Sequence, residues 1–547
     1  MSLRLHSSIV RAVLSALAIL SSSLTTAQVS VTTYHYDNNR TGWNNHETVL
    51  TPANVASSSF GLLYNVALDD QVDGQPLLVP GVNITAGSHQ GTHDVVYVAS
   101  EGNTVYAIDA ESGTILLSPN FGTPVRYPLG CGNNGPNVGI NSTPVIDPAT
   151  STLYVIVYTN DSNVPTYRIH ALDLGSLTDK VTPQVIVASH TLSDGTTFNF
   201  SATYQRQRPG LLLANGNVYA GFGSFCDLGA NLSRGWLLGW ATNSLTPLPA
   251  NQLFDVQPTD SDSFFLSSIW MSGYGLSTDD SGNILFVTGN SDYSGTTYDG
   301  VSNIQESVVK VSPNLTTVLS LFTPSNQAAL DQSDADFGSG GVMTLPDQPG
   351  STPHLAVAAG KYGSMYLMNA DSLGGYSTTK NNVLGTYNVG ACWCGPSYFM
   401  DADGAARVVS SGGGNVKVWK LATSPKPALT RVSISNYIAG GQNPGFFTTI
   451  SSNGSSNAIV WALSHPLTQN KKIQLLALNP DSGSTMTQLF RGVSGSWPNL
   501  GGNSNLVPVV ANGEVFVASY KQLEIFGLKG TKGKKASTKN GKKQIGK

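Results

Sequence analysis

One pattern recurs eight times along this chain and governs what it can become. A short strand ends in a turn, and a second strand follows that stops near Asp or Asn and Gly. The clearest copy runs Val95-Val96-Tyr97-Val98-Ala99, turns at Gly102-Asn103, continues through Thr104-Val105-Tyr106-Ala107-Ile108-Asp109 and closes at Glu111-Ser112-Gly113. Period-two alternation bounded by Gly, Asn and Asp is the signal of a strand hairpin. Seven further leading strands centre near Tyr154, Tyr219, Phe286, Val357, Val408, Val460 and Phe516. A third strand precedes each pair, for example at 75–79, 142–146, 209–213 and 506–510. Three or four strands per unit, repeating every 50–70 residues or so, match propeller blades and not a pair of β-sandwiches. The expected fold is therefore all-β, an eight-bladed β-propeller over residues 60–528. The last unit stops at Leu528 without an outer strand, and residues 60–68 stand free before the first unit to supply it. That would close the ring with an N-terminal strand in the last blade and leave 28–59 as an N-terminal extension.

The ends differ from this body. Arg4 and Arg11, an apolar stretch from Ala12 to Leu20 and the small residues Thr25-Thr26-Ala27 read as a secretory signal over residues 1–27. The apolar run is well short of the roughly 20 residues a spanning helix needs, and no later segment qualifies, so the mature chain is expected to be exported, periplasmic or extracellular. Residues 529–547 carry eight lysines and no acid, which leaves 28–528 with 19 basic against 33 acidic side chains, net −14. A lysine run with one aliphatic residue, Ile545, is expected to stay unfolded. It suits an anionic surface, while the absence of interleaved aromatics argues against a dedicated nucleic-acid site.

The turn Ala107-Ile108-Asp109-Ala110-Glu111-Ser112-Gly113 resembles the A-x-D-x-x-T/S-G signature of quinoprotein (pyrroloquinoline quinone, PQQ) propeller repeats. Weaker copies are Ala171-Leu172-Asp173-Leu174 and Ala477-Leu478-Asn479-Pro480-Asp481-Ser482-Gly483. With the stretches Gly139–Val145, Gly221–Asp227 and Asp334–Gly341, the body resembles the quinoprotein alcohol dehydrogenase-like superfamily and, within it, exported bacterial PQQ-repeat proteins. The resemblance implies a PQQ-repeat type of propeller. It leaves activity open, because that superfamily contains both enzymes and non-catalytic scaffolds.

In such a ring the loops entering each innermost strand crowd the mouth of the central funnel. Those loops carry Asn141, Arg206, Arg208, Trp270, Asp336 and Trp393, a set of amides, guanidinia, a carboxylate and indoles suited to a flat, anionic or sugar-like ligand. The leading expectation is a module binding a ligand or an envelope protein, carbohydrate or small molecule through this funnel. The alternative is a dehydrogenase dependent on PQQ and calcium, oxidising alcohols or sugars. For that alternative the carboxylates available at the mouth to hold calcium are Asp331, Asp334 and Asp336, with Asn141 across the funnel. Asp336 would be the base, Arg206 or Arg208 a carboxylate clamp, and Trp270 or Trp393 a stacking floor, although the enzymes' own calcium-ligand and tryptophan positions have no residue-by-residue match here. The adjacent Cys-Cys pair of the enzymes and a C-x-x-C-H haem motif are both missing. No H-E-x-x-H, G-x-S-x-G or P-loop occurs, so hydrolase chemistry has no support. Export favours disulfides, and Cys131 with Cys226, on adjoining blades, is the favoured pair. Cys392 and Cys394 would then close a small ring or stay reduced.

Overall fold

The computed structural model describes residues 28–133, 135–229, 232–258, 266–291 and 298–530, and in it the repeats form eight small antiparallel sheets arranged as a propeller. The signal-like segment 1–27 and the lysine-rich stretch beyond 530 lie outside the described residues. Blade one is typical: Leu77–Ile84, Gly91–Ala99, Val105–Asp109 and Ile115–Leu117 pair in that order. Its second strand explains the alternation. Val95 and Tyr97 pack with Ile146, Leu153 and Val155 of blade two, while Val96 and Val98 pack with Phe516 and Ala518 of blade eight. Successive side chains of a strand point to opposite faces, so period two deals residues alternately to the two neighbouring blades. Both faces are buried, and each fully buried Val or Leu contributes about 1.5–3 kcal/mol.

The signature turn is a structural device. Asp109 Oδ1 accepts from the Ser112 N–H at 2.8 Å and from Ser112 Oγ at 2.7 Å, closing the loop between two blade strands. Gly113 follows at φ +71°, a conformation a side chain would strain. This motif therefore builds the blade, and none of its residues lines the funnel cavity.

Ring closure follows the expected route. Phe60–Gln71 pairs antiparallel with the C-terminal strand Glu514–Leu528, in register from Phe60 opposite Leu528 to Ala67 opposite Gln522, with one irregularity at Leu63. The other half of that long strand pairs with Val509–Ala511. Residues 60–67 and 514–528 thus share blade eight.

The segment before it does more than extend the chain. Residues 31–44 visit the first strand of every blade in turn. Val31 exchanges backbone bonds with Leu78 of blade one, and Thr32 O accepts from Ile146 N of blade two. Asn38 reaches Leu213 O of blade three and Thr278 N of blade four. Asn39, Thr41 and Gly42 carbonyls accept from Thr344, Tyr398 and Ile450 of blades five, six and seven, and Asn44 Nδ2 donates to Val510 O of blade eight. At the centre Arg40 is fully buried, donating to Thr33 Oγ1 and to the carbonyls of Tyr34, Leu211 and Leu276. Tyr34, His35, Tyr274 and Phe447 stack around it, ring centroids 4.5–6.3 Å apart. This plug closes the axis at one end. The funnel opens at the other, because each inner strand is entered from the funnel side and meets the plug several residues later.

Candidate functional site

Trp270 precedes the short turn Met271–Gly273 that leads into blade four, and Trp393 lies between Cys392 and Cys394 at the entry to blade six. Together with Arg206, Arg208, Asp334 and Asp336, these residues line one cavity of about 430 Å³ at the funnel mouth. The same cavity is lined by Asp227, by Asn443, Asn503 and Asn505 on the entry loops of blades seven and eight, and by Asn133 and Lys361, which lie on no entry loop.

Lys361 organises the acidic side. Its ammonium pairs with Asp336 and, at 3.1 Å, with Asp334, while lying 5.5 Å from the Trp270 ring and 5.7 Å from the Trp393 ring. Burial alone would raise the Asp336 carboxyl. The Lys361 charge and hydrogen bond, with the Asn290 N–H at 2.9 Å, outweigh burial and hold it below the ordinary carboxylate value. Burial would lower Lys361, but the two aspartates hold it above the usual ammonium value. Asp334 is raised by burial and by the Asp336 charge. Burial and the same charge push Asp227 up to about 6. One ammonium thus serves three crowded carboxylates. Gly289 permits the arrangement, since a Cβ there would stand 2.6 Å from Asp336 Oδ1 and 3.0 Å from Trp270 Nε1.

The guanidinium side is separately held. Glu101, buried, accepts from Asn141 Nδ2 and from the Gly139 N–H, and Asn141 Oδ1 accepts from Arg206 Nε at 2.9 Å. That chain fixes Arg206 while its Nη2 finds no protein partner. Burial, with Arg206 close by, lowers Arg208 to about 9, and its guanidinium lies 5.7 Å from the Trp270 ring.

Two expected ligands stand elsewhere. Asp331 does not line the cavity. It lies in the last turn of the helix Gln327–Gln332, where its carboxylate accepts from the Ser291 N–H and the side chains of Gln305 and Gln327. Asn141 lies behind the wall as the support of Arg206 and does not line the cavity itself.

Cys131 is joined to Cys226, and Cys392 to Cys394. The first bridge brings Cys226 and Asp227, at φ +54° and +56°, to the cavity wall. Ser272, Glu306 and Asp334 also hold positive φ.

No family model matches the sequence, and no curated protein matches it. Solved structures do. The chain is similar to the quinohemoprotein alcohol dehydrogenase ADHIIG of Pseudomonas putida HK5, with a TM-score of 0.60 and 13% identity over 92% of this chain and 80% of that one. It is similar to the quinohemoprotein alcohol dehydrogenase of Comamonas testosteroni, with a TM-score of 0.56 and 12% identity over 92% and 82%. A europium-containing methanol dehydrogenase gives a TM-score of 0.56 and 10% identity over 91% and 98%. The chain shares its eight-bladed propeller fold with these structures. Among the described residues no helix is long and apolar enough to cross a membrane.

Proposed function

We propose that the chain is an exported oxidoreductase whose funnel mouth would bind PQQ together with a cation. The observation that carries this reading is the Asp334–Lys361–Asp336 cluster seated against two indole rings in a cavity also lined by the buried Arg206 and the half-buried Arg208. The residues fit such a group on three counts. Trp270 and Trp393 offer aromatic faces for a planar ring system. Arg206, with an unpaired buried Nη2, and Arg208 suit carboxylates. Asp227, Asp334 and Asp336 outnumber the one ammonium among them and offer hard oxygen donors for calcium or a lanthanide.

PQQ, when bound, would accept the two electrons of an alcohol oxidation. The chain's own contribution is positional and electrostatic. Asp336, kept ionised by Lys361 and the Asn290 N–H, is the group able to take a proton from a substrate hydroxyl. Glu101 and Asn141 keep Arg206 aimed at the cavity. Two disulfides agree with export to an oxidising compartment.

Calorimetric titration with PQQ, in parallel with calcium and with europium, tests the site. A dye-linked assay on alcohols and sugars tests the activity. Expected are cation-dependent binding, loss of affinity in Trp270→Ala, and an Asp336→Asn variant that binds PQQ without reducing dye. Failure to bind with either cation sinks the reading. Cation-dependent binding without turnover on any alcohol or sugar would leave a non-catalytic binding module at the same funnel.

A further inference from the structure

The face opposite the funnel carries a separate group of donors. Blades four and five meet there beside the plug, where the Thr278 and Thr344 N–H groups bond the carbonyls of Asn38 and Asn39. Three turns converge on this seam. Asp280 comes from the hairpin after Ser277–Thr278, and Asp371 from the turn after Ser364–Asn369. Asp347 and His354 come from the loop joining Val342–Thr344 to Leu355–Ala359. All four side chains line a cavity of about 50 Å³, room for an ion and a water. Asp280 and Asp347 are exposed and His354 is half-buried, so an ion can reach them directly from solvent.

Their spacing is that of ligands sharing one ion. One imidazole nitrogen of His354 and one oxygen from each of Asp280 and Asp347 lie within 4.8 Å of one another. Donors to a common ion at about 2.0–2.6 Å can stand no farther than about 4–5 Å apart. His354 Nε2 is 3.6 Å from Asp347 Oδ1, too far for a hydrogen bond. Two tetrahedral ligands of zinc stand at a similar separation, roughly 3.4 Å. The other ring nitrogen, Nδ1, is held by both oxygens of Asp371 at 2.9 and 3.0 Å. Metal-ligating histidines almost always donate their second N–H in this way, which fixes the ring and aims the free nitrogen at the ion.

The charges point the same way. Burial and the Asp347 carboxyl, to which it is hydrogen-bonded, raise Asp280. Two carboxylates so placed need a proton or a cation between them. The neighbouring ammonium, Lys310, is already engaged by Asp279 at 3.3 Å and by the Ala370 carbonyl at 2.7 Å.

We propose that Asp280, Asp347 and His354 bind a divalent transition-metal ion, zinc in the first place, which clasps blade four to blade five, with Asp371 orienting the histidine. The imidazole selects zinc or copper over calcium and magnesium, which take oxygen ligands. This site is independent of the funnel and of any cofactor there.

The test is calorimetry with zinc on untagged, chelator-treated full-length protein, comparing the parent with His354→Ala, Asp371→Asn and Asp336→Asn. One zinc per chain is expected in the parent and lost in His354→Ala. Asp371→Asn, which keeps all three ligands, should bind it about 10–100-fold more weakly. Asp336→Asn, altered in the funnel, should bind it as the parent does. Copper(II) in place of zinc should give an electron paramagnetic resonance signal split by one nitrogen in the parent and not in His354→Ala. Saturating zinc should raise the melting temperature of the parent and leave that of His354→Ala unchanged. The proposal is overturned if the parent binds no zinc, if His354→Ala binds it equally well, or if the zinc is lost in Asp336→Asn instead.

Discussion

Lys361 satisfies three demands at once: it neutralises Asp336, offsets Asp334 and lies close to two indole rings. Removing one partner of a buried pair leaves the other charged and unpaired, at a cost of about 3–5 kcal/mol. Lys361→Met is therefore expected to lower unfolding stability by roughly 3 kcal/mol in urea titration. Adding Asp336→Asn should recover most of that loss, and strictly additive effects in the double-mutant cycle would count against the pair. The arginines, indoles and two of the three aspartates were legible in the sequence because they occupy strand-entry loops, whose place in a propeller is fixed by the repeat. Lys361 was not, since Gly360-Lys361-Tyr362-Gly363 reads as an ordinary turn between strands and only the ring brings it to Asp336. Asp331 misled for the opposite reason. It is close to Asp336 in sequence, but one helical turn redirects its carboxylate towards Gln305 and Gln327.

At the level of elements, the seam in blade eight carries a titratable group. Glu524 sits opposite Asn65, is 5% exposed and accepts from Asn65 Nδ2 at 3.2 Å. Burial pushes its carboxyl from 4.5 up to about 7, more than the Lys472 charge and the Asn65 bond oppose. Between those two values the folded chain keeps a proton that the unfolded chain has released. Stability must therefore fall as pH rises through that window, by up to about 3 kcal/mol. Glu524→Gln should flatten the profile and raise the melting temperature at pH 8, and an unchanged slope would remove Glu524 as its source. The strands on either side of this seam were readable because alternation deals residues to two neighbours. The small ribbons Val125–Arg126 with Asn137–Val138 and Ser189–Thr191 with Thr197–Asn199 were not, being too short to show a period.

Across the whole molecule, the eight blades meet on residues 31–44. Sequence alone left this segment as an extension, because it has no repeat and its polar side chains look like those of a loop. Its partners, met mostly through its own backbone, are main-chain groups of eight separate sheets, which no local pattern encodes. Arg40→Met would strand the Leu211, Leu276 and Tyr34 carbonyls, each worth about 1–3 kcal/mol when left unpaired. Scanning calorimetry should show a clear drop in melting temperature, and a melting curve identical to the parent would deny the plug its role. The plug also turns the funnel into a room with one door. Whatever rests against its floor must be seated first and can leave only after whatever entered behind it. Two ligands sharing it would leave last in, first out, the deeper one held for as long as the outer one stays.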